Sequence, residues 1–211
     1  EFRRVLFRSI PYAKSGRIQK VINYEYDFPL RLAFFPGMSC MFYCGFCGRN
    51  QEARYDPSKV MKSGVKRFKD IISAMPKNST FSISGGLEPL TNFQLEDIVS
   101  HAKSLGHRVP LITNGFMLTR NYLKNNPGLW DLDSIRISLY GVDDDSTYYV
   151  TRNKNAFETV RNNIISFLND RNKKKSNVKL GLNYIIIPEN SESLLSLIDY
   201  VKYINDNVKN G

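Results

Sequence analysis

Apolar and polar positions follow two different periods along this chain, and the switches between them outline its elements. The apolar run 30–35 (LRLAFF) predicts a buried strand closed by the turn Pro36-Gly37. Asp56 and Pro57 supply an N-cap and a first-turn proline. Behind them Met61, Val65, Phe68, Ile72 and Met75 recur at helical steps, the stripe of an amphipathic helix. Residues 81–84 predict a second strand. Thr91 and Gln94 stand at capping-box spacing ahead of a helix carrying Leu95, Ile98, Val99, Ala102 and Leu105, which Gly106 stops. A third strand over 109–113, a short helix over 119–125 and a fourth strand over 135–140 follow. Phe157, Val160, Ile164 and Leu168 mark a longer helix. The fifth strand, 179–187 (KLGLNYIII), ends at Pro188, and Leu194, Ile198 and Val201 mark the last helix.

Five βα repeats without a hairpin signal imply parallel strands joined by right-handed crossovers, so the fold class is α/β, a parallel barrel or open parallel sheet. The first nine residues, EFRRVLFRS, have no readable period and match the translation of a common sequencing adapter, so 1–9 is read as foreign sequence. Residues 10–29 form a lead-in, and 30–211 the repeats. A six-unit barrel needs one more strand than the sequence offers, so the barrel is expected to be truncated after about five units and incomplete at the C-terminus.

Composition narrows the class. A chain of 211 residues, 42% hydrophobic and 12% aromatic, can bury a core and does not read as disordered. Its apolar runs fall far short of the ~20 residues of a membrane-spanning helix, so no membrane partner is expected. The net charge of +10 invites a nucleic-acid reading. Two of those charges belong to the adapter-like segment, and the densest run, 171–175 (RNKKK), lacks interleaved aromatics and reads as a solvated helix end.

Three cysteines cannot staple a secreted fold, and all lie within 40–47. In parallel α/β folds the active site sits at the C-terminal ends of the strands. Cys40, Cys44 and Cys47 occupy the loop after the first strand, spaced C-x3-C-x2-C. Three thiolates can hold three irons of a [4Fe-4S] cluster and leave the fourth open. Structural zinc needs a fourth ligand, and His101 and His107 belong to the opposite strand ends. After the second strand, SGGLEPLTN offers Gly85 and Gly86 for a tight turn and close backbone approach, and Glu88 as an acceptor for an ammonium group. Polar residues at later strand ends need partners or ligand. Asn114, Ser138, Tyr140, Asn183 and Tyr184 are pocket candidates on that ground, and Arg152 could counter a carboxylate or phosphate.

These motifs resemble the radical SAM superfamily. The resemblance implies a partial (β/α)6 barrel whose cluster is held by Cys40, Cys44 and Cys47, with S-adenosylmethionine (SAM) chelating the open iron. It further implies that Phe46 lines the adenine side, that Gly85, Gly86 and Glu88 receive the methionyl amine, and that Ser138 meets the SAM ribose or carboxylate. Leu87 departs from the family pattern by standing between Gly86 and Glu88. The longer segments FFPGMSCMFYCGFC, SGGLEPLTN, ITNGFMLT and PGLWDLDSIRISLYG are similar to radical SAM ammonia-lyases of deoxysugar biosynthesis. That similarity runs from about Phe34 to Val201, with departures at Gly115 and over 48–52. It implies a nucleotide-linked amino-deoxysugar substrate such as TDP-4-amino-4,6-dideoxyglucose, hydrogen abstraction at C3 and loss of the C4 amine. It also implies a flavodoxin or ferredoxin-type electron donor and a cytoplasmic setting. The rivals are a radical SAM enzyme modifying tRNA or a peptide, and a non-catalytic iron–sulfur domain.

Overall fold

The computed structural model describes residues 17–25, 29, 31–48 and 57–209. The adapter-like segment, Leu30, Asp56 and the Met61 side chain lie outside the described residues. The chain divides into two units, 1–30 and 31–211. In the first, helix α1 (Arg17–Ile22) is followed by Asn23, whose side chain accepts from Gln19 at 3.0 Å.

The second unit alternates strands with helices. In chain order these are β1 (Arg31–Phe34), α2 (Pro57–Ala74), β2 (Thr80–Ile83), α3 (Leu95–Ser104), β3 (Pro110–Thr113), α4 (Arg120–Asn125) and β4 (Ser134–Leu139). Two helices, α5 (Asp144–Thr151) and α6 (Ala156–Lys174), then lead to β5 (Lys179–Tyr184) and α7 (Ser196–Asn207). The five strands form one parallel sheet whose spatial order equals their chain order.

The two faces of the sheet have opposite character because side chains alternate along each strand. Phe34, Phe81, Ile83, Leu111, Ile135 and Ile137 point to the helices and are buried. Phe34 packs against Phe68 of α2 at 4.8 Å between ring centroids and against Phe81 at 5.2 Å. The other face carries Arg31, Ala33, Ile112, Arg136, Ser138, Gly181 and Asn183, all at least partly exposed. Helix α6 closes the core with Ala156, Val160, Ile164 and Phe167, the last stacked on Trp130 at 4.9 Å.

Three expectations change. Gln94 makes no side-chain cap bond, and Thr91 belongs to a 3-10 turn (Pro89–Thr91) capped instead by Glu88, so the Thr91–Gln94 capping box does not form. Leu105 falls after the end of α3 and is 41% exposed rather than in the core. In α7 the buried residues are Tyr200 and Ile204, while Leu194, Ile198 and Val201 face outward. Tyr200 packs on Phe157 of α6 at 5.8 Å, and that contact turns the opposite apolar stripe away. Helix α5 was not anticipated: its stripe is weak, and its signal is Asp143, which accepts from Ser146 N at 2.7 Å ahead of an acidic first turn.

Candidate functional site

The cysteine loop leaves β1 and is clamped at both ends. At its start Gly37 lies so close to the β2 loop that a Cβ there would stand 2.8 Å from the carbonyl oxygens of Leu87 and Glu88. Ser39 pairs with Glu88 as a β-bridge, Glu88 N donating to Ser39 O at 2.8 Å. The Thr91 hydroxyl accepts from Met38 N at 2.9 Å and Ser39 N at 3.0 Å, and donates to Glu88 O at 2.6 Å. Asn92 donates to Pro36 O at 3.0 Å. Farther along, Tyr43 N donates to Thr151 O at 2.8 Å, and Asn153 Nδ2 to Met41 O at 3.3 Å. A loop without regular structure thus has its backbone groups satisfied from β2, α5 and the turn before α6, which sets where its thiols point.

Cys40, Cys44 and Cys47 line one cavity at the C-terminal edge of the sheet, together with Gly85, Gly86 and Ser138. Cys44 is buried, the other two are partly exposed, and none is in a disulfide. The Cys47 thiol donates to Gly86 O at 3.8 Å. Gly85 has φ of +147°, and a Cβ there would meet Phe35 at 3.1 Å, so only glycine lets the β2 loop pass beside the cysteine loop. Among the described residues, no three His, Cys, Asp or Glu side chains converge on one point where a single ion would sit. In a [4Fe-4S] cluster each cysteine holds a different iron, so the thiols need not meet at one point. Three thiols, with no fourth cysteine in the chain, fit a cluster with one open iron.

Glu88 lines this cavity with its carboxylate already engaged. The residue is 3% exposed, and its carboxylate accepts from Thr113 Oγ1 at 2.6 Å, Asn114 N at 2.8 Å and Leu90 N at 3.1 Å. Burial raises its pKa, and these three hydrogen bonds oppose the rise. The side chain therefore ties the β2 loop to the end of β3. Ser84, Gly85, Gly86, Leu87 and Glu88 of this loop all line the cavity. Tyr122 closes the far side of this region, donating to Leu90 O at 2.8 Å, with its pKa pushed up to about 12 by burial and then by Glu88 and Glu96.

The remaining candidates separate into two groups. Asn114, Ser138, Tyr140 and Phe46 line the cavity. Asn114 is buried; its Oδ1 accepts from Phe116 N at 3.0 Å, while Nδ2 points to Met41 Sδ at 3.1 Å and Cys40 Sγ at 3.6 Å. Tyr140 stacks on Phe46 with centroids 6.0 Å apart, and Phe42 packs edge-on against it at 5.8 Å. Burial, then the nearby Cys44, Cys40 and Glu88, raises the Tyr140 pKa, against a hydrogen bond with Ser138. Asn183 pairs with Ser138 across β4 and β5 on the exposed sheet face. Tyr184 and Arg152 stand apart. Tyr184 follows Asn183 and so turns to the helix face, where its hydroxyl donates to Asn190 O at 3.4 Å. Burial, then Asp143, raises its pKa. Arg152 caps α5 in a left-handed conformation, lies 5.1 Å over the Tyr149 ring and does not line the cysteine cavity.

Sequence reasoning missed Thr91, Asn153 and Asn190. Asn190 is buried, donates to Ile185 O at 2.8 Å and Tyr140 O at 3.2 Å, and accepts from Ile187 N at 2.9 Å, so it fixes how the chain leaves β5. Its signal was the short Pro188-Glu189-Asn190 turn. A cavity of about 850 Å³ opens instead at the N-terminal ends of β3 to β5, beside Arg108, Trp130 and Lys179. It is remote from the thiols, and the chemistry of the cysteine cavity decides the assignment of the site.

A sequentially ordered parallel sheet, with three cysteines after its first strand and a Gly-Gly turn after its second, is an α/β fold with a candidate iron–sulfur site at its C-terminal edge. The Radical SAM superfamily pattern matches residues 35–201, and the chain belongs to that superfamily, whose members use a [4Fe-4S] cluster and SAM. Over 199 residues the chain is 39% identical to the dTDP-4-amino-4,6-dideoxy-D-glucose ammonia-lyase of Streptomyces venezuelae, a match covering 93% of this chain and 41% of that protein. It therefore spans about two-fifths of that relative's length. The crystal structure of Streptococcus suis SuiB bound to S-adenosylmethionine superposes with a TM-score of 0.59 at 17% identity, over 94% of this chain and 42% of that one. TYW1 with a lysine-pyruvate adduct bound gives 0.59 at 17% identity, over 90% and 70%. At such identities the likeness is one of fold. No helix among the described residues is long and apolar enough to cross a membrane.

Proposed function

We propose that this chain is the SAM-binding barrel of a lyase that removes ammonia from a nucleotide-linked amino-deoxysugar such as TDP-4-amino-4,6-dideoxyglucose. The observation that carries the reading is the 39% identity, across 93% of the chain, to an ammonia-lyase named for that sugar. Cys40, Cys44 and Cys47 each hold one iron. The Gly85 and Gly86 carbonyls accept the methionyl amine in place of the occupied Glu88 carboxylate. Phe46 and Tyr140 flank the adenine, and Ser138 meets the ribose or carboxylate. Held there, SAM and a reduced cluster would supply the radical chemistry for hydrogen removal from the sugar. The chain's own contribution is orientation and dryness: Phe42, 2% exposed and edge-on to Phe116 at 5.6 Å, seals the underside of the cysteine loop from water. The electron donor is a flavodoxin or ferredoxin-type protein, and the reducing cytoplasm is the compartment that keeps three such thiols available.

The test uses the complete enzyme, reconstituted and reduced, with TDP-4-amino-4,6-dideoxyglucose, tRNA or peptide in parallel. Release of both ammonia and 5′-deoxyadenosine with the sugar nucleotide is expected. Turnover confined to RNA or peptide overturns the proposal.

A further inference from the structure

The exposed face of the sheet carries a cation that the reading above leaves unused. Arg136 occupies the middle of β4, between Ser134 and Ser138, and alternation along the strand points all three to the same face. Arg136 is exposed, and its side chain makes no ion pair or hydrogen bond with any described residue. Of the other cations on this face, Arg31 Nε donates to Ser82 Oγ at 2.7 Å, and Lys179 stands opposite Ser134 at the start of β5, farther from the cysteine cavity than Arg136. A mid-strand guanidinium has five donors to satisfy, and strands covered on both faces are normally apolar at such positions.

The surroundings of Arg136 leave space for a ligand. Its register partner on β5 is Gly181, and a Cβ built there would meet nothing within 4 Å except Arg136 Cγ, at 3.8 Å. One same-face step along the strands, roughly 7 Å, comes the pair Ser138 and Asn183. Ser138 lines the cysteine cavity. On this face the guanidinium, a glycine and two neutral polar side chains therefore follow one another toward the cysteine cavity, which Ser138 lines. A molecule with an anionic end and a neutral hydroxyl-rich end matches that order.

We infer that Arg136 binds a phosphate of the substrate's diphosphate and so sets the distance of its sugar from the cysteine cavity. The identity of the substrate rests on the proposed function; the anion-binding role rests on Arg136 and its surroundings. The planar fork suits bidentate contact with phosphate oxygens, which a lysine replaces only as a point charge.

Calorimetric titration of the complete, SAM-loaded enzyme with TDP-4-amino-4,6-dideoxyglucose, TDP and inorganic pyrophosphate tests this in wild type, Arg136→Lys and Arg136→Gln. Loss of a charge-assisted contact predicts that Arg136→Gln weakens all three phosphate ligands by roughly 10- to 100-fold, with Arg136→Lys between. SAM affinity should be preserved in both variants, which separates lost anion binding from a damaged fold. Equal affinity of wild type and Arg136→Gln for TDP and pyrophosphate overturns the inference, as does a parallel loss of SAM binding. Arginine-dependent binding of pyrophosphate without binding of the TDP-sugar would retain the anion site and reject the proposed substrate. A wild type that binds none of the three rejects both.

Discussion

At Asn114 one side-chain amide is divided between loop and sulfur: Oδ1 accepts from Phe116 N, and Nδ2 points to Met41 Sδ and Cys40 Sγ. A donor on a ligand sulfur offsets negative charge, so it favours the reduced form of a cluster and raises its potential. Asn114→Ala is therefore expected to lower the midpoint potential of the reconstituted cluster, read by a redox titration followed by electron paramagnetic resonance. An unchanged potential would assign the amide to loop packing alone. The cysteines and the Gly-Gly turn were legible in the sequence because their chemistry is carried by residue type and short spacing. The hydrogen bonds of Glu88 were not, because a motif does not say which way a carboxylate turns: two donors to it, Thr113 and Asn114, lie 25 and 26 residues away. Arg136 went unremarked for the same reason. Within 135–140 it looks like one polar residue of a strand, and only register shows Gly181 beside it.

At the scale of elements, the cysteine loop depends on Thr91, whose hydroxyl serves two backbone N–H groups across the gap between β1 and β2. Thr91→Val keeps the shape and removes the acceptor. Leaving such groups unmet costs about 1–3 kcal/mol. The variant should unfold at lower denaturant concentration and take up less iron on reconstitution, while Thr91→Ser restores both. Full iron uptake by Thr91→Val would contradict the clamp. Strands β1 to β5 and helices α2, α3 and α6 were readable from apolar period, since each has one face under others. Helix α5 was not, because a short polar helix leaves little stripe, and its cap signal at Asp143 is local. The outward stripe of α7 was misjudged because periodicity identifies an apolar face without saying which of two faces meets α6.

Across the whole molecule, the sheet separates two tasks. Its helix-facing side holds the fold with Phe81, Ile83, Leu111, Ile135 and Ile137, each at most 1% exposed. Its other side and C-terminal edge stay polar and open, and the clamped cysteine loop stands there. Net charge said little about this arrangement: the run 171–175 lies at the end of α6, away from the cysteine cavity, whereas the cation inferred to meet the substrate is a single arginine in a strand. The central claim is that the cavity of Cys40, Cys44 and Cys47 holds a [4Fe-4S] cluster with an iron open to SAM. Its most direct test is the electron paramagnetic resonance spectrum of the reduced, reconstituted protein, recorded with and without SAM. The account predicts a cluster signal that changes on SAM addition and disappears when the three cysteines are replaced by alanine. A cluster signal indifferent to SAM, or one that survives those replacements, would contradict it.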